Sequence, residues 1–275
     1  MLQPLLHRLF LSCCLCTLTG CAASSTPDAP SPAILAQAIR TAGTPLALQV
    51  ALPGARGHGS GILVHPRIIL TAGHIVPINA TSVTAFTTPE GAPEIVRIDR
   101  IFPARAFSGI GDPASRPLRD WSMPGDKNDD WALLVLGAPF TSLDAAPAET
   151  FATAPPTPGD AVIIAGFPMA DGGRDASRHS ERIALFHKSD IIPGTKSSHP
   201  NDQLFFGRGM PHGQGHSGAS GSPVFLCTDN APPALIGIYI GEIGYHFLGA
   251  RTRSEMMFRR LPLEAIRDAI DSLRQ

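Results

Sequence analysis

The chain has 275 residues, 43% of them hydrophobic and 16% charged, which is enough apolar material for one sizeable core. Its 22 Lys and Arg nearly balance 23 Asp and Glu, leaving a net charge of −1 and no basic stripe, so nothing points to a nucleic-acid partner. Four of the five cysteines fall within the first 21 residues and Cys227 stands alone in the rest, so no disulfide can close within the body of the protein.

Residues 1–20 carry Arg8 and then a short apolar run, Leu9 to Cys16, too brief to span a bilayer as a stable helix. They read as a signal peptide. Its end, Leu18-Thr19-Gly20-Cys21, resembles the bacterial lipobox. That resemblance implies cleavage before Cys21, diacylation of its thiol and acylation of the new amine, with Ala22 directing the product to the outer membrane where the cell has one. An ordinary secretory signal cut near Ala22 or Ala23 is the alternative. Residues 21–41 then form the lipid attachment and a tether: Ala22 to Pro32 is rich in Ala, Ser and Pro with only Asp28 charged, too little apolar surface to fold. A short helix is possible over Ala33 to Ala42.

The domain proper is expected over residues 42–275. Short apolar runs follow one another between Gly, Pro, Asp and Asn: Leu46 to Leu52, Gly61 to Val64, Ile68 to Thr71, Trp131 to Leu136, Ala161 to Ala165, Pro223 to Leu226 and Ala234 to Ile240. This spacing predicts an all-β fold. Two longer polar stretches interrupt it, Thr87 to Asp129 and Met169 to Asn201; the first is predicted as loop, the second as a solvated loop with partial strands. A helical period arrives only at the end, where Leu263, Ile266, Ile270 and Leu273 share one face.

Three segments carry chemistry. In Ile68-Ile69-Leu70-Thr71-Ala72-Gly73-His74 an apolar strand runs into small residues and an imidazole, placing His74 at a strand end. Asp130 stands immediately before the apolar Trp131-Ala132-Leu133-Leu134-Val135-Leu136, where its carboxylate can sit half-buried and bond a partner. In Gly215-His216-Ser217-Gly218-Ala219-Ser220-Gly221-Ser222-Pro223-Val224-Phe225 a serine between glycines leads into a strand, a tight loop that exposes a hydroxyl. There the amides of Gly218 and Ser220 can converge on one spot, as an oxyanion requires. Each segment alone has a plain structural reading, a surface turn or a core histidine. Together they give the order His, Asp, Ser, one of several orders in which this triad occurs.

These blocks resemble the signature segments of the chymotrypsin-fold serine peptidases. Gly166-Phe167-Pro168, Ser222-Pro223-Val224-Phe225 and Leu235-Ile236-Gly237-Ile238 are most similar to the bacterial glutamyl endopeptidases, with the periplasmic HtrA-type proteases more distant. The resemblance runs from about Pro45 to the C-terminus. It implies two six-stranded antiparallel β-barrels followed by a C-terminal α-helix, with His74 and Asp130 from the first barrel and Ser220 from the second. It also implies a protein or peptide substrate, no cofactor and no metal. Two departures matter. Animal members carry an aspartate before the serine that pairs with a freed N-terminus, and here Ala219 stands in its place. Glutamyl endopeptidases have Gly-Ile-His-Trp-Gly where this chain has Gly237-Ile238-Tyr239-Ile240-Gly241, so the expected substrate pocket beside Gly215, Tyr239 and Gly241 lacks the histidine that binds a glutamate side chain.

Other readings are weaker or silent. An α/β-hydrolase needs Gly-x-Ser-x-Gly followed by a helix, whereas Ser222 occupies the last glycine position and a strand follows. A lipid-anchored envelope protein that keeps the fold and only holds peptides is the non-enzymatic alternative.

Overall fold

The computed structural model describes residues 43–52, 55–77, 79–86, 93–103, 129–141, 143–168, 185–192, 203–208, 218–228, 231–247 and 250–274. Twelve strands appear in chain order: β1 Pro45–Leu52, β2 Ala55–His65, β3 Ile68–Thr71, β4 Ser82–Phe86, β5 Glu94–Pro103, β6 Ala132–Leu136, β7 Ala161–Gly166, β8 Leu185–Ile192, β9 Leu204–Arg208, β10 Pro223–Thr228, β11 Ala231–Phe247 and β12 Ala250–Arg260. They close into two barrels of six antiparallel strands, ordered β1-β2-β3-β6-β5-β4 and β10-β11-β12-β9-β8-β7. Among the described residues one α-helix, α1 Leu263–Asp271, follows β12. The expected all-β architecture of two six-stranded barrels and a C-terminal helix is therefore the one observed. Cys227 is in no disulfide.

Alternation along the strands divides the apolar residues among three cores. In β3, Ile69 points into the first barrel with Leu48, Leu63, Val83 and Leu134, whereas Ile68 and Leu70 point the other way. That outer face meets the second barrel: Ile62, Leu70, Leu133 and Val135 pack with Phe225, Leu235, Ile238 and Met257. The third cluster fills the second barrel with Val162, Ile164, Phe205, Val224 and Phe258. Strands shared between two cores must be apolar on both faces, which is why they read as continuous hydrophobic runs. Helix α1 covers one end of the interface, burying Ile266 and Ala269 while Leu263, Ile270 and Leu273 pack against the same cluster. Beyond the helix, Arg274 comes near His65 at the β2–β3 turn; burial, then Arg67 and Arg274, lowers the pKa of that imidazole.

The stretch from Thr87 to Asp129 is not all loop: residues 94–103 within it form β5. Val96 and Ile98 are buried and their neighbours Ile95, Arg97 and Asp99 face outward, so the strand obeys a period of two that its charges disguise. It completes the first barrel by bridging β4 and β6. In the second polar stretch, where partial strands were expected, residues 185–192 form β8. The expected signal peptide, Cys21, the tether and the short helix over Ala33 to Ala42 lie outside the described residues, as does the rest of both polar stretches except for Pro93, Asp129 and the strands named. Among the described residues no helix is long and apolar enough to cross a membrane.

Candidate active site

The register of two strands brings His74 to Asp130. β3 and β6 run antiparallel with Thr71 opposite Ala132, so the residues just after β3 and just before β6 meet at the same end of the barrel. Ala72 continues extended, and a single 3-10 turn over Gly73–Ile75 then swings His74 back over that end. Asp130 is fully buried. Its Oδ1 accepts the backbone N–H of His74 at 3.0 Å, and its two oxygens lie 3.0 and 2.8 Å from His74 Nδ1. A carboxylate can only accept, so Nδ1 carries the proton and Nε2 is left as the basic nitrogen of the ring. The ring itself remains partly open to solvent, with 14% of its side chain exposed.

The serine loop comes from the opposite barrel and enters β10. Gly218 and Gly221 both have positive φ, +85° and +86°. At Gly221 a side chain is barred twice, by the left-handed backbone and by Ser60 O, Thr71 Oγ1 and the Ala72 amide, which crowd the place a Cβ would take. The loop is stitched to its own barrel through β11: the Gly221 N–H donates to Tyr239 O at 2.7 Å and the Tyr239 N–H to Ser222 O at 2.8 Å. Within the loop the Ala219 carbonyl accepts from the Ser222 N–H at 2.9 Å and from Ser222 Oγ at 2.5 Å. Because a trans peptide points its N–H opposite its carbonyl, the Ser220 N–H faces away from Ser222. Neither that amide nor the Gly218 amide has an acceptor among the described residues.

Contact with the first barrel completes the arrangement. Ser60, on β2, is fully buried, and its amide donates to Ser220 O at 2.7 Å. Beside it Gly59 lies between Ile75, the neighbour of His74, and the Ser220 carbonyl, which a Cβ on Gly59 would approach to 2.8 Å. The side chain next to the imidazole and the backbone of the serine thus crowd the place a Cβ on this one glycine would take. The hydrogen bonds described join His74 to Asp130; none among the described residues joins Ser220 Oγ to the imidazole.

The residues expected to form a substrate pocket are placed less simply. Gly215 lies outside the described residues. Gly241 sits beside a bulge at Ile240 with φ +146°, and Met257 Cε lies 3.5 Å from the place of its absent Cβ. Tyr239 points into the second barrel, 1% exposed, with its ring centroid 6.2 Å from that of Phe258 and Ala219 in the same cluster. Its backbone N–H and carbonyl link it to the serine loop. Sequence reasoning also passed over two carboxylates near Gly241: Glu255, fully buried on the neighbouring β12, and the partly buried Glu242, next in β11 and opposite Met256.

Against this geometry the chain can be compared with known proteins. The sequence pattern of the trypsin-like peptidase domain matches residues 59–238, a span that holds His74, Asp130 and Ser220. The chain belongs to the trypsin-like peptidase family. Two solved structures share the fold of this trypsin-like chain. One is the scabies mite inactivated protease paralogue S-I1, at 15% identity and a TM-score of 0.54, covering 83% of this chain and 94% of that one. The other is the thermostable serine protease AL20 from an extremophilic microorganism, at 14% identity and a TM-score of 0.53, covering 83% and 95%. No curated protein matches the sequence significantly. The fold of a serine protease is thus established, and the two neighbours, one described as inactivated, show that the fold alone does not decide activity.

Proposed function

We propose that this trypsin-like chain is an active serine endopeptidase, exported and anchored by lipid at Cys21, that cleaves protein or peptide substrates through an acyl-enzyme. The observation that carries the reading is the buried Asp130 carboxylate, bonded to both the amide and Nδ1 of His74 at the strand end where the Ser220 loop docks. His74 Nε2 takes the Ser220 proton as Oγ bonds to the scissile carbonyl carbon, and the carbonyl electron pair moves to the oxygen. The Gly218 and Ser220 amides receive that oxyanion, each such donor being worth about 10²–10³ in rate. Collapse expels the amine, protonated by His74, and water repeats the steps on the ester. Asp130 holds the imidazole in the tautomer this requires and offsets its positive charge.

A catalytically silent, peptide-holding lipoprotein is the second reading. It is favoured by the lack of a bond between Ser220 Oγ and the imidazole, although such contacts are often long without substrate.

For specificity we propose a pocket beside Gly215, Tyr239 and Gly241 that takes an uncharged side chain and does not prefer glutamate. Tyr239 brings no positive charge to such a pocket, and the carboxylates near Gly241 are Glu242 on β11 and Glu255 on β12. Burying a substrate carboxylate there without a cation would cost several kcal/mol. Profiling a peptide library with the mature protein is expected to show uncharged residues before the scissile bond. A dominant Glu preference would overturn the proposal, and a dominant Lys or Arg preference would assign the pocket to the two carboxylates.

The anchor is tested separately. Cys21→Ser is expected to move the protein from the membrane fraction to the soluble one or to block signal processing, since several acyl chains hold where one does not. A wild-type protein that is soluble, with its N-terminus at another residue, would refute lipidation. With the anchor in place the protein would face the periplasm from the outer membrane where the cell has one.

A further inference from the structure

Every polar group of Ser60 reaches across the barrel interface or supports one that does. Its N–H donates to Ser220 O at 2.7 Å, and its hydroxyl donates to Gly218 O at 2.9 Å. The same hydroxyl accepts the Phe167 N–H, just after β7 of the second barrel, at 2.9 Å. Its carbonyl accepts Thr71 Oγ1 at 2.6 Å, which ties the residue back to the strand that leads to His74. A buried hydroxyl that donates to one backbone group and accepts from another is held from two directions, so these bonds fix its rotamer.

The two carbonyls that Ser60 holds bracket the nucleophile. Gly218 O sets the plane of the Gly218–Ala219 peptide, and Ser220 O sets that of the Ser220–Gly221 peptide. Between them the Ala219–Ser220 peptide is set by the bonds from Ser222 to Ala219 O. Three successive peptide planes are therefore fixed, and with them the direction of the Ser220 amide. Ala219 is 0% exposed in the apolar core of the second barrel and offers no charge by which the loop could be tied elsewhere.

We infer that Ser60 is a positioning residue: from the first barrel it locks the serine loop of the second into its working shape, so that no charged anchor at position 219 is needed. Its catalytic consequence rests on the peptidase reading, but the locking itself does not. Ser60 touches neither the reacting atoms nor the His74–Asp130 pair, and it acts only through the loop backbone.

The test compares wild type, Ser60→Ala and Ser189→Ala in the mature protein. Ser189 is an equally buried serine hydroxyl, bonded to Arg208 O at 3.1 Å in the second barrel, and it controls for the general loss of one buried bond. Two quantities are read: kcat and KM on a peptide substrate, and amide hydrogen exchange at Gly221 and Ser222 relative to Leu70. Ser60→Ala is expected to lower kcat by roughly 10²-fold with KM within about twofold, the size of effect that a small misplacement of reacting groups produces. Exchange at Gly221 and Ser222 is expected to speed up while Leu70 keeps its protection, and Ser189→Ala is expected to change neither. Unchanged kcat and loop exchange in Ser60→Ala would overturn the inference, and so would equal losses in both variants. A wild type with no turnover whose loop still loosens in Ser60→Ala would refute the peptidase reading and leave the locking role standing. No turnover and no loosening would remove both.

Discussion

Ser220→Ala is expected to reduce peptide hydrolysis by about 10⁶-fold, to the level left by binding and oxyanion stabilisation alone. The size follows from the loss of the covalent route: without Oγ no ester forms, and a water in its place has neither the position nor the partner to attack as well. The fold should hardly notice. Ser220 is only partly buried, and its structural bond, accepting from the Ser60 N–H, is made by its backbone carbonyl. Near-identical thermal unfolding of wild type and variant, beside the collapse of turnover, is the expected pair of measurements. Hydrolysis that persists within tenfold would place the nucleophile elsewhere.

Asp130→Asn should be nearly as damaging, at about 10⁴-fold in kcat, without removing the nucleophile. Asparagine can keep its oxygen on the His74 N–H, as Oδ1 does now at 3.0 Å. Its amide would then face His74 Nδ1 as a donor, forcing that nitrogen to accept and moving the ring proton to Nε2. A protonated Nε2 cannot take the Ser220 proton. The defect is one of tautomer and not of structure, so the variant should fold with the native circular dichroism spectrum. It should also regain rate as the pH is raised far enough to ionise the serine hydroxyl without help. A variant with wild-type kcat would show that the buried carboxylate is structural.

The His74–Asp130 pair was legible because each member stands at the edge of an apolar strand, where sequence marks both the strand and its end. Thr71 opposite Ala132 then turns two separate strand ends into one place, a step that needs the register and cannot be read from composition. Charged strands were harder. In β5 the outward Arg97, Asp99 and Arg100 made a barrel strand look like loop, and β12 conceals its period further by burying Glu255 and Arg259 among Met256, Met257 and Phe258. Ser60 was not legible at all. Gly59-Ser60-Gly61 reads as any flexible segment, and its partners Phe167 and Gly218 lie 107 and 158 residues away. Tyr239 was placed on the right strand, but a bulge at Ile240 and a register shift near Leu235 decide which face its ring takes, and the ring went inward.

The central claim, that Ser220 is a nucleophile activated by His74 and Asp130, is tested most directly by reaction of the mature protein with a fluorophosphonate probe, followed by mass mapping of the adduct. The account predicts one phosphonyl group on Ser220 in the wild type, much slower labelling in Asp130→Asn and none in Ser220→Ala. An unlabelled wild type, or an adduct on any residue other than Ser220, would contradict it.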